Sequence, residues 1–203
     1  MPKTPSSPIL VLDVGGVVLE DPVPALLDAL AALSRRRRRA IIEYYTSELR
    51  TQLWSGAASE PEFWDRLLHH CGLPPDPALW RASLLAAMLP LPAAAHLASW
   101  SQSCTLWGLT NHRAEWVRPR LRDEHLADIF ERLQISSETG LVKPAPEAFA
   151  PLVAAAVGRR VLFVDDKPRN VAAATAAGLP ALLADPASDW VVAVNYWVRA
   201  VRD

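Results

Sequence analysis

The sequence predicts an α/β fold built in three layers around a parallel sheet. Two segments, Ile9–Val14 and Val161–Asp165, are apolar except for an aspartate at or near their end, which is typical of strands covered on both faces. Helical patterns lie between such segments, and strands that alternate with helices favour a parallel sheet. A third observation is that residues 20–90 show helical patterns and no convincing strand. The chain is therefore expected to be one α/β core that carries a helical insertion.

The strands and helices of the core follow from these patterns in chain order. Five strands are expected, of which the third and the fifth have the weaker patterns: Ile9–Val14, Thr105–Thr110, Leu133–Ser136, Val161–Asp165 and Ala181–Ala184. Three helices are expected among them: Glu115–Leu126, Glu147–Val157 and Asn170–Ala177. Gly178 is placed to end the last of these helices at its C′ position.

Residues 20–90 are predicted to form a helical cap over the ends of the strands. Prolines at both ends and in the middle of this stretch divide it into helices and hinges. The predicted domains are a core of residues 1–19 and 91–203 and a cap of residues 20–90. At the chain ends, Met1–Pro8 is expected to be an extended tail. Ser188–Asp203 is expected to be a closing helix capped by Ser188 or Asp189, or a strand followed by a helix.

Composition excludes several classes of partner. The 21 basic and 22 acidic side chains give a net charge of −1, so no overall field favours nucleic acid or an anionic membrane. The run Arg35–Arg39 is expected to be a solvated helix or loop, because consecutive residues spread around a helix instead of forming one patch. No apolar run reaches the roughly 18 residues of a membrane span. Two distant cysteines, Cys71 and Cys104, indicate buried thiols in a reducing compartment. We expect a soluble cytoplasmic protein that is a monomer or a homodimer.

Acidic residues at two predicted strand ends are the first candidates for chemistry. Parallel sheets bind ligands outside the carboxyl ends of their strands. Asp13 follows an aliphatic strand and precedes Gly15 and Gly16, which allow a loop to wrap around an anion. Asp165 and Asp166 end a second such strand. If the two strands are neighbours, their carboxylates repel, and a divalent cation would relieve the repulsion; oxygen ligands favour Mg²⁺ over zinc.

Two further strand ends carry weaker signals. Thr110 and Asn111 offer a hydroxyl and an amide that could hold phosphate oxygens, although such residues often only cap helices. Lys143 precedes Pro144, which keeps the lysine out of helical geometry, and a lone lysine there would ordinarily lie on the surface. His112 is a candidate because it lies just beyond Asn111. Aromatic residues of the insertion, Trp54 among them, are expected more often to pack helices together than to line a pocket.

Taken in order, these segments resemble the four motifs of the haloacid dehalogenase (HAD) superfamily. The likeness covers most of the chain, and the helical insertion lies where that family places a cap. The motifs are Leu12–Val17, Leu109–Asn111, Lys143–Phe149, and Val164–Asp166 with Asn170. The resemblance implies a Rossmann-like fold with strand order 5-4-1-2-3.

The resemblance also implies a phosphatase that uses an aspartyl-phosphate intermediate. Asp13 would be the nucleophile and would hold Mg²⁺ with the Gly15 carbonyl, Asp166 and Asp165. Residues that would bind the phosphoryl oxygens are Thr110, Asn111, Lys143 and the loop amides at Val14 and Gly15. Asn170 would orient the acidic loop. The expected substrate is a small phosphorylated metabolite, such as a sugar phosphate.

One position departs from the family pattern and keeps other functions open. Most phosphatases of the family have a second aspartate two residues after the nucleophile as general acid, and here Gly15 occupies that position. A cap residue or water could supply the proton, the substrate could have a good leaving group, or the protein could be a weakly active or non-catalytic binding protein. A 2-haloacid dehalogenase is another alternative, although that chemistry needs no metal and the Asp165–Asp166 pair would then lack a purpose. A phospho-acceptor signalling domain is disfavoured, because its paired acids come first in the chain and its lysine last.

Overall fold

A five-stranded parallel sheet lies at the centre of the structure and confirms the predicted α/β fold. The computed structural model describes residues 7–200, so most of the predicted tail at Met1–Pro8 and residues 201–203 lie outside the described residues. The strands are β1 (Ile9–Leu12), β2 (Thr105–Thr110), β3 (Arg132–Ile135), β4 (Val161–Asp165) and β5 (Ala181–Leu183). Their order across the sheet is β3-β2-β1-β4-β5, which is the predicted order read from the opposite edge.

The register of the central strands aligns their carboxyl ends. Leu12 at the end of β1 lies opposite Gly108 of β2 and Val164 of β4. All of β1 is buried, and its alternate residues enter separate hydrophobic clusters: Leu10 belongs to one and Val11 to the other. Two clusters on opposite faces of one sheet are what a three-layer fold requires. The residues that follow β1, β2 and β4 therefore emerge at one edge of the sheet.

The helices cover both faces of the sheet and fill the insertion. In chain order they are α1 (Pro22–Leu33), α2 (Arg38–Tyr44), α3 (Arg50–Ser55), α4 (Glu60–Cys71), α5 (Pro77–Ala86), α6 (Leu97–Trp100), α7 (Ala114–Asp123), α8 (Ser136–Thr139), α9 (Ala150–Ala155), α10 (Pro168–Ala176) and α11 (Trp190–Arg199). A π-helical turn, Tyr45–Leu49, joins α2 to α3, and 3-10 turns occupy Pro92–His96, Ala127–Ile129 and Pro146–Ala148. None of the helices within residues 7–200 has the length and apolarity needed to cross a membrane.

Helices α1 to α5 all lie within residues 20–90, the stretch predicted to be inserted. The chain enters and leaves this stretch at adjacent positions. The Glu20 amide donates to the Leu89 carbonyl at 2.8 Å, and the Leu91 amide donates to the Val18 carbonyl at 2.9 Å. An antiparallel bridge between Leu19 and Pro90 lies between these hydrogen bonds. The insertion is thus joined to the core by two paired segments of chain.

Three details differ from the predicted elements or decide between alternatives. The helix expected over Glu147–Val157 is instead a 3-10 turn followed by the shorter α9, because Pro151 can be accommodated only near a helix start. The C-terminal segment forms helix α11 from Trp190, with Asp189 at the N-cap position and no preceding strand. In the arginine run, α2 begins at Arg38, and the three arginines before it lie in the connection from α1.

Candidate active site

Three aspartates meet at the carboxyl edge of the sheet. Asp13 follows β1, Asp165 is the last residue of β4, and Asp166 comes next in the chain. One carboxylate oxygen from each lies within 4.8 Å of the other two. Asp13 and Asp165 are buried and Asp166 is partly buried. The acids that the sequence places on separate segments are therefore close together in the folded chain.

Lys143 lies among these carboxylates. Its side chain is fully buried, and Nζ is 2.6 Å from Asp165 Oδ2 and 2.8 Å from Asp13 Oδ2. Nζ also donates to the Leu109 carbonyl at 2.7 Å. All three donor positions of an ammonium group thus have a partner. A surface position, which the sequence alone favours for a lone lysine, is wrong here, because two buried acids compensate the charge.

The Asp165 carboxylate is saturated with hydrogen bonds. In addition to Lys143, it accepts from the Lys167 amide at 2.8 Å and from Asn170 Nδ2, which is 2.9 Å from Oδ1 and 3.0 Å from Oδ2. Asp165 is completely buried. Asn170 therefore holds a carboxylate that in turn holds Lys143. The role predicted for Asn170, to orient the acidic loop, agrees with its hydrogen bonds to both carboxylate oxygens of Asp165.

Asp166 is bound on one side only. Its Oδ2 pairs with Lys167 Nζ at 2.6 Å, whereas Oδ1 is buried and has no hydrogen-bond partner among the described residues. Gly16 makes this position of Asp166 possible, because a Cβ at Gly16 would lie 2.4 Å from Asp166 Oδ2. Gly16 also has a φ of +81°, which other residues rarely adopt. The second glycine of the pair is thus required on two grounds.

Burial and neighbouring charges shift the pKa values of these groups in different directions. Burial raises the pKa of Asp13 from 3.8 to about 8, and the negative charges of Asp165 and Asp166 add to this effect while Lys143 opposes it. Burial also acts against ionised Asp165, but Lys143 and the Lys167 amide outweigh it and hold the pKa of Asp165 below its usual value. For Lys143, burial acts to lower the pKa, and Asp13 and Asp165 reverse this and raise it. An additional cation would favour the ionised form of Asp13.

The donor set fits a hard divalent cation. When Asp13 is ionised, the aspartates contribute three negative charges, against the positive charges of Lys143 and Lys167. The buried Asp166 Oδ1 has no partner, although buried polar atoms nearly always have one. Carboxylate and carbonyl oxygens suit Mg²⁺, and neither a thiol nor an imidazole of the described residues belongs to this group. Asp13 and Asp166 line the adjoining cavity, whereas Asp165 does not.

Among the predicted phosphate-binding residues, the structure separates those facing the cavity from those engaged elsewhere. Thr110 at the end of β2, Gly15 and Lys143 line the cavity. Asn111 also lines it, but its Nδ2 donates to the Lys143 carbonyl and its Oδ1 accepts from the Lys143 amide, both at 2.8 Å. The Val14 amide donates to Asp13 Oδ1 at 2.7 Å. In this structure Asn111 thus fixes the backbone of Lys143, and the Val14 amide orients Asp13.

His112 lies beside Gly15, and both residues line the cavity. Its side chain is buried, and Nδ1 accepts a hydrogen bond from the Arg113 amide at 3.0 Å. Nε2 has no hydrogen-bond partner among the described residues. Burial lowers the pKa of His112 from 6.5 to about 4, so the imidazole is neutral at neutral pH. Trp54 packs against it from the insertion, with ring centroids 5.4 Å apart.

A cavity of about 770 Å³ opens between this edge of the sheet and the insertion. Residues of the insertion that line it include Leu27, Arg38, Ile42, Tyr45, Arg50 and Trp54. Apart from Trp54, which is expected more often to pack helices together, the residues of this wall are not predicted from the sequence. The π-helical turn Tyr45–Leu49 shifts the helical period in the middle of this segment, so a regular 3.6-residue pattern cannot show which side chains point inward. The aromatic residues Phe63, Trp64 and Trp80 are buried in the hydrophobic core, as expected of packing residues.

Solved structures with the same fold come from several bacteria. A predicted HAD-like family hydrolase from Porphyromonas gingivalis is 24% identical with a TM-score of 0.74, and the alignment covers 96% of this chain and 98% of that one. A HAD family enzyme from Bacteroides thetaiotaomicron, solved in complex with magnesium and inorganic phosphate, is 21% identical with a TM-score of 0.76 and coverage of 92% and 98%. L-2-haloacid dehalogenase from Xanthobacter autotrophicus is 17% identical with a TM-score of 0.65 and coverage of 93% and 82%. A search of curated proteins gave no significant match.

Sequence comparison with family models identifies the chain more directly. The model described as haloacid dehalogenase-like hydrolase matches residues 8–178. This range runs from the start of β1 to the end of α10 and therefore contains every residue of the acidic cluster, Lys143 and His112. The chain belongs to the haloacid dehalogenase-like hydrolase family.

Proposed function

We propose that the protein is a Mg²⁺-dependent phosphatase that hydrolyses a small phosphorylated metabolite. The observation that carries this proposal is the cluster of Asp13, Asp165 and Asp166, in which the buried Asp166 Oδ1 has no partner. Three acids and one buried lysine suit a reaction in which charge must be neutralised around a phosphoryl group. Inside the family, this cluster favours phosphate chemistry over chemistry that needs no cation.

Each residue of the cluster has a proposed task. Asp13 attacks phosphorus through a carboxylate oxygen and forms an aspartyl phosphate, which water then cleaves. Lys143, which is fixed by Asp165, and Thr110 bind the phosphoryl oxygens. The residues that would hold Mg²⁺ are Asp13, Asp166 and the Gly15 carbonyl, with Asp165 as the further predicted ligand. The bound ion would neutralise negative charge on the phosphoryl group and on the acidic cluster.

We further propose that residues 20–90 act as the cap that selects the substrate. The cavity is larger than a phosphate ion needs, and its outer wall comes from the insertion. That wall combines apolar side chains such as Leu27 and Ile42 with the guanidinium groups of Arg38 and Arg50. Arg38 is paired with Asp28, whereas the guanidinium group of Arg50 forms no hydrogen bond or ion pair with the residues that the structure describes; only its backbone amide is bonded, to the Tyr45 carbonyl. A compact metabolite with polar groups fits such a wall.

Two related structures represent the alternatives within the family. The Bacteroides enzyme was solved with magnesium and inorganic phosphate, which are the ion and the product of the proposed reaction. The Xanthobacter protein is a haloacid dehalogenase, and Gly15 in place of a second aspartate is the feature of this chain that favours such a reaction. The acidic cluster outweighs that feature, because a dehalogenase nucleophile needs no metal.

A panel of phosphorylated metabolites with and without Mg²⁺, run beside 2-chloropropionate, tests the proposal. We expect phosphate release that requires Mg²⁺ and no release of chloride. Asp13→Asn should abolish turnover and leave the fold intact, as measured by circular dichroism. Chloride release without Mg²⁺ would instead make the protein a dehalogenase, and turnover of a phosphate ester by the Asp13→Asn variant would exclude Asp13 as the nucleophile.

A further inference from the structure

His112 lies beside the position that a general acid two residues after the nucleophile would occupy. Apart from atoms of residues 14–16, an ideal Cβ built on Gly15 has one neighbour within 4 Å among the described residues, His112 Cδ2 at 3.9 Å. Cδ2 is the ring carbon bonded to Nε2. The imidazole edge that carries Nε2 therefore lies next to the place that a side chain at position 15 would occupy.

The imidazole is held in one orientation by its surroundings. The His112 amide donates to Ser136 Oγ at 3.1 Å, and the His112 carbonyl accepts from the Ser137 amide at 3.3 Å. Trp54 contacts the ring from the insertion and Trp116 contacts it edge-on from α7. These contacts fix both the backbone and the ring, as a group that must act at a defined point requires.

The hydrogen bonding of the ring assigns its proton. Nδ1 accepts from the Arg113 amide, so in the neutral imidazole the hydrogen is on Nε2. This Nε2–H group is buried and has no acceptor among residues 7–200, and His112 is one of the residues that line the cavity. A buried donor without a partner costs stability unless a ligand supplies the acceptor.

We propose that His112, through Nε2–H, donates a hydrogen bond to the leaving-group oxygen of the substrate. The proposal rests on the phosphatase function proposed above and extends it by one catalytic residue. It gives the chain a substitute for the general acid that Gly15 lacks. The acceptor is the bridging ester oxygen of a phosphate monoester with a poor, alkyl leaving group, because a phenolate leaving group needs little help.

The step balances without any further reactant except water. Asp13 forms a bond to phosphorus as the bond between phosphorus and the bridging oxygen breaks, and the electron pair of that bond goes to the oxygen. The Nε2–H hydrogen bond stabilises the negative charge that develops there, and the oxygen takes its proton from water in the cavity. His112 remains neutral throughout. That water becomes hydroxide, which is neutralised by the proton released when a second water cleaves the aspartyl phosphate and inorganic phosphate leaves.

The test compares two phosphate esters in the wild type and in His112→Phe, which keeps a ring between the tryptophans and removes the donor. With Mg²⁺ present, we expect kcat/KM for glycerol 2-phosphate to fall by about 10²-fold and that for p-nitrophenyl phosphate by about 3-fold or less. Because both rates are measured on one preparation, a lower folded fraction cancels in their ratio. His69→Ala is the matched control, since His69 is exposed on α4, and it should change neither rate.

A second variant tests the spatial replacement itself. Gly15 has room for a side chain and no left-handed φ, so Gly15→Asp can be combined with His112→Phe. The double variant should recover most of the rate on glycerol 2-phosphate. An equal loss on both esters in His112→Phe, no loss, or no recovery in the double variant would overturn the role of His112. If the wild type hydrolyses neither ester nor any other phosphate of the panel, the phosphatase function itself fails, and the inference falls with it.

Discussion

At the scale of single residues, the buried ammonium group of Lys143 stabilises the acidic cluster. Its ammonium group touches Asp13 and Asp165 and has no exposed surface. Burying a charge is expensive, and it is tolerable only when an opposite charge and hydrogen-bond partners surround it. Lys143 therefore has a structural role in addition to its proposed contact with phosphate.

Lys143→Met should destabilise the protein strongly in the presence of EDTA. The variant leaves the ionised Asp165 buried without a countercharge, and removing one partner of a buried ion pair costs about 3–5 kcal/mol. Urea denaturation measures the free energy of unfolding. Lys167→Met is the control, because Lys167 is 45% exposed in its pair with Asp166, and pairs of this kind contribute about 0–1 kcal/mol. Equal losses in the two variants would contradict this account.

At the scale of elements, Glu60 at the start of α4 joins the insertion to the core. Its Oε1 accepts from Trp64 Nε1 at 3.0 Å and from Trp116 Nε1 at 2.6 Å, and it pairs with Arg81 at 2.9 Å. Trp116 belongs to α7 in the core, and the other two partners belong to the insertion. The same Trp116 packs against His112, so this junction lies directly behind the cavity wall.

Glu60→Ala should lower the free energy of unfolding by about 1–3 kcal/mol, because two largely buried indole N–H groups lose their acceptor. Glu60→Gln keeps a carbonyl oxygen in this place and should lose less. Urea unfolding followed by tryptophan fluorescence measures both. Asp65→Ala, which changes an exposed residue of the same helix, should stay within about 0.5 kcal/mol of the wild type. A similar effect of Asp65→Ala and Glu60→Ala would argue against the junction.

At the scale of the whole molecule, the acidic cluster makes folding depend on pH. Asp13 has a folded-state pKa of about 8, raised from 3.8, so the folded chain keeps a proton that the unfolded chain releases in this interval. The contribution of Asp13 to stability therefore falls as the pH rises from about 4 to about 8 and is constant above that. The contribution of Asp165 to stability depends on pH in the opposite direction, because its pKa is lowered in the folded chain. This contribution is lost only in more acidic solution.

Asp13→Asn should therefore gain stability relative to the wild type as the pH rises. In EDTA, we expect the difference in free energy of unfolding to grow between about pH 5 and about pH 8 and then to level off. Adding Mg²⁺ should stabilise the wild type more at about pH 8 than at about pH 6, because the ion needs the ionised carboxylate. Thermal and urea denaturation across this range measure both effects. A difference that does not vary with pH would exclude Asp13 as the titrating group.

How far the sequence predicts this molecule depends on the range of the interactions involved. The strands, and the arrival of Asp13, Thr110 and Asp165 at one edge, follow from apolar runs and from the geometry of parallel sheets, whereas the strand order follows from the resemblance to the family. The depth of Lys143 does not follow, because it depends on two acids from other strands. The sequence also does not predict which side chains of the insertion face the cavity, because the π-helical turn at Tyr45–Leu49 interrupts the helical period.

The paired segments around Leu19 and Pro90 have a consequence for how such a protein can diversify. Because the chain leaves the sheet and returns to it at neighbouring points, everything between them can be lengthened, shortened or exchanged while β1 and β2 stay aligned. Stretches of different length and sequence could therefore evolve at this position without a change in the sheet or in the acidic cluster at its edge.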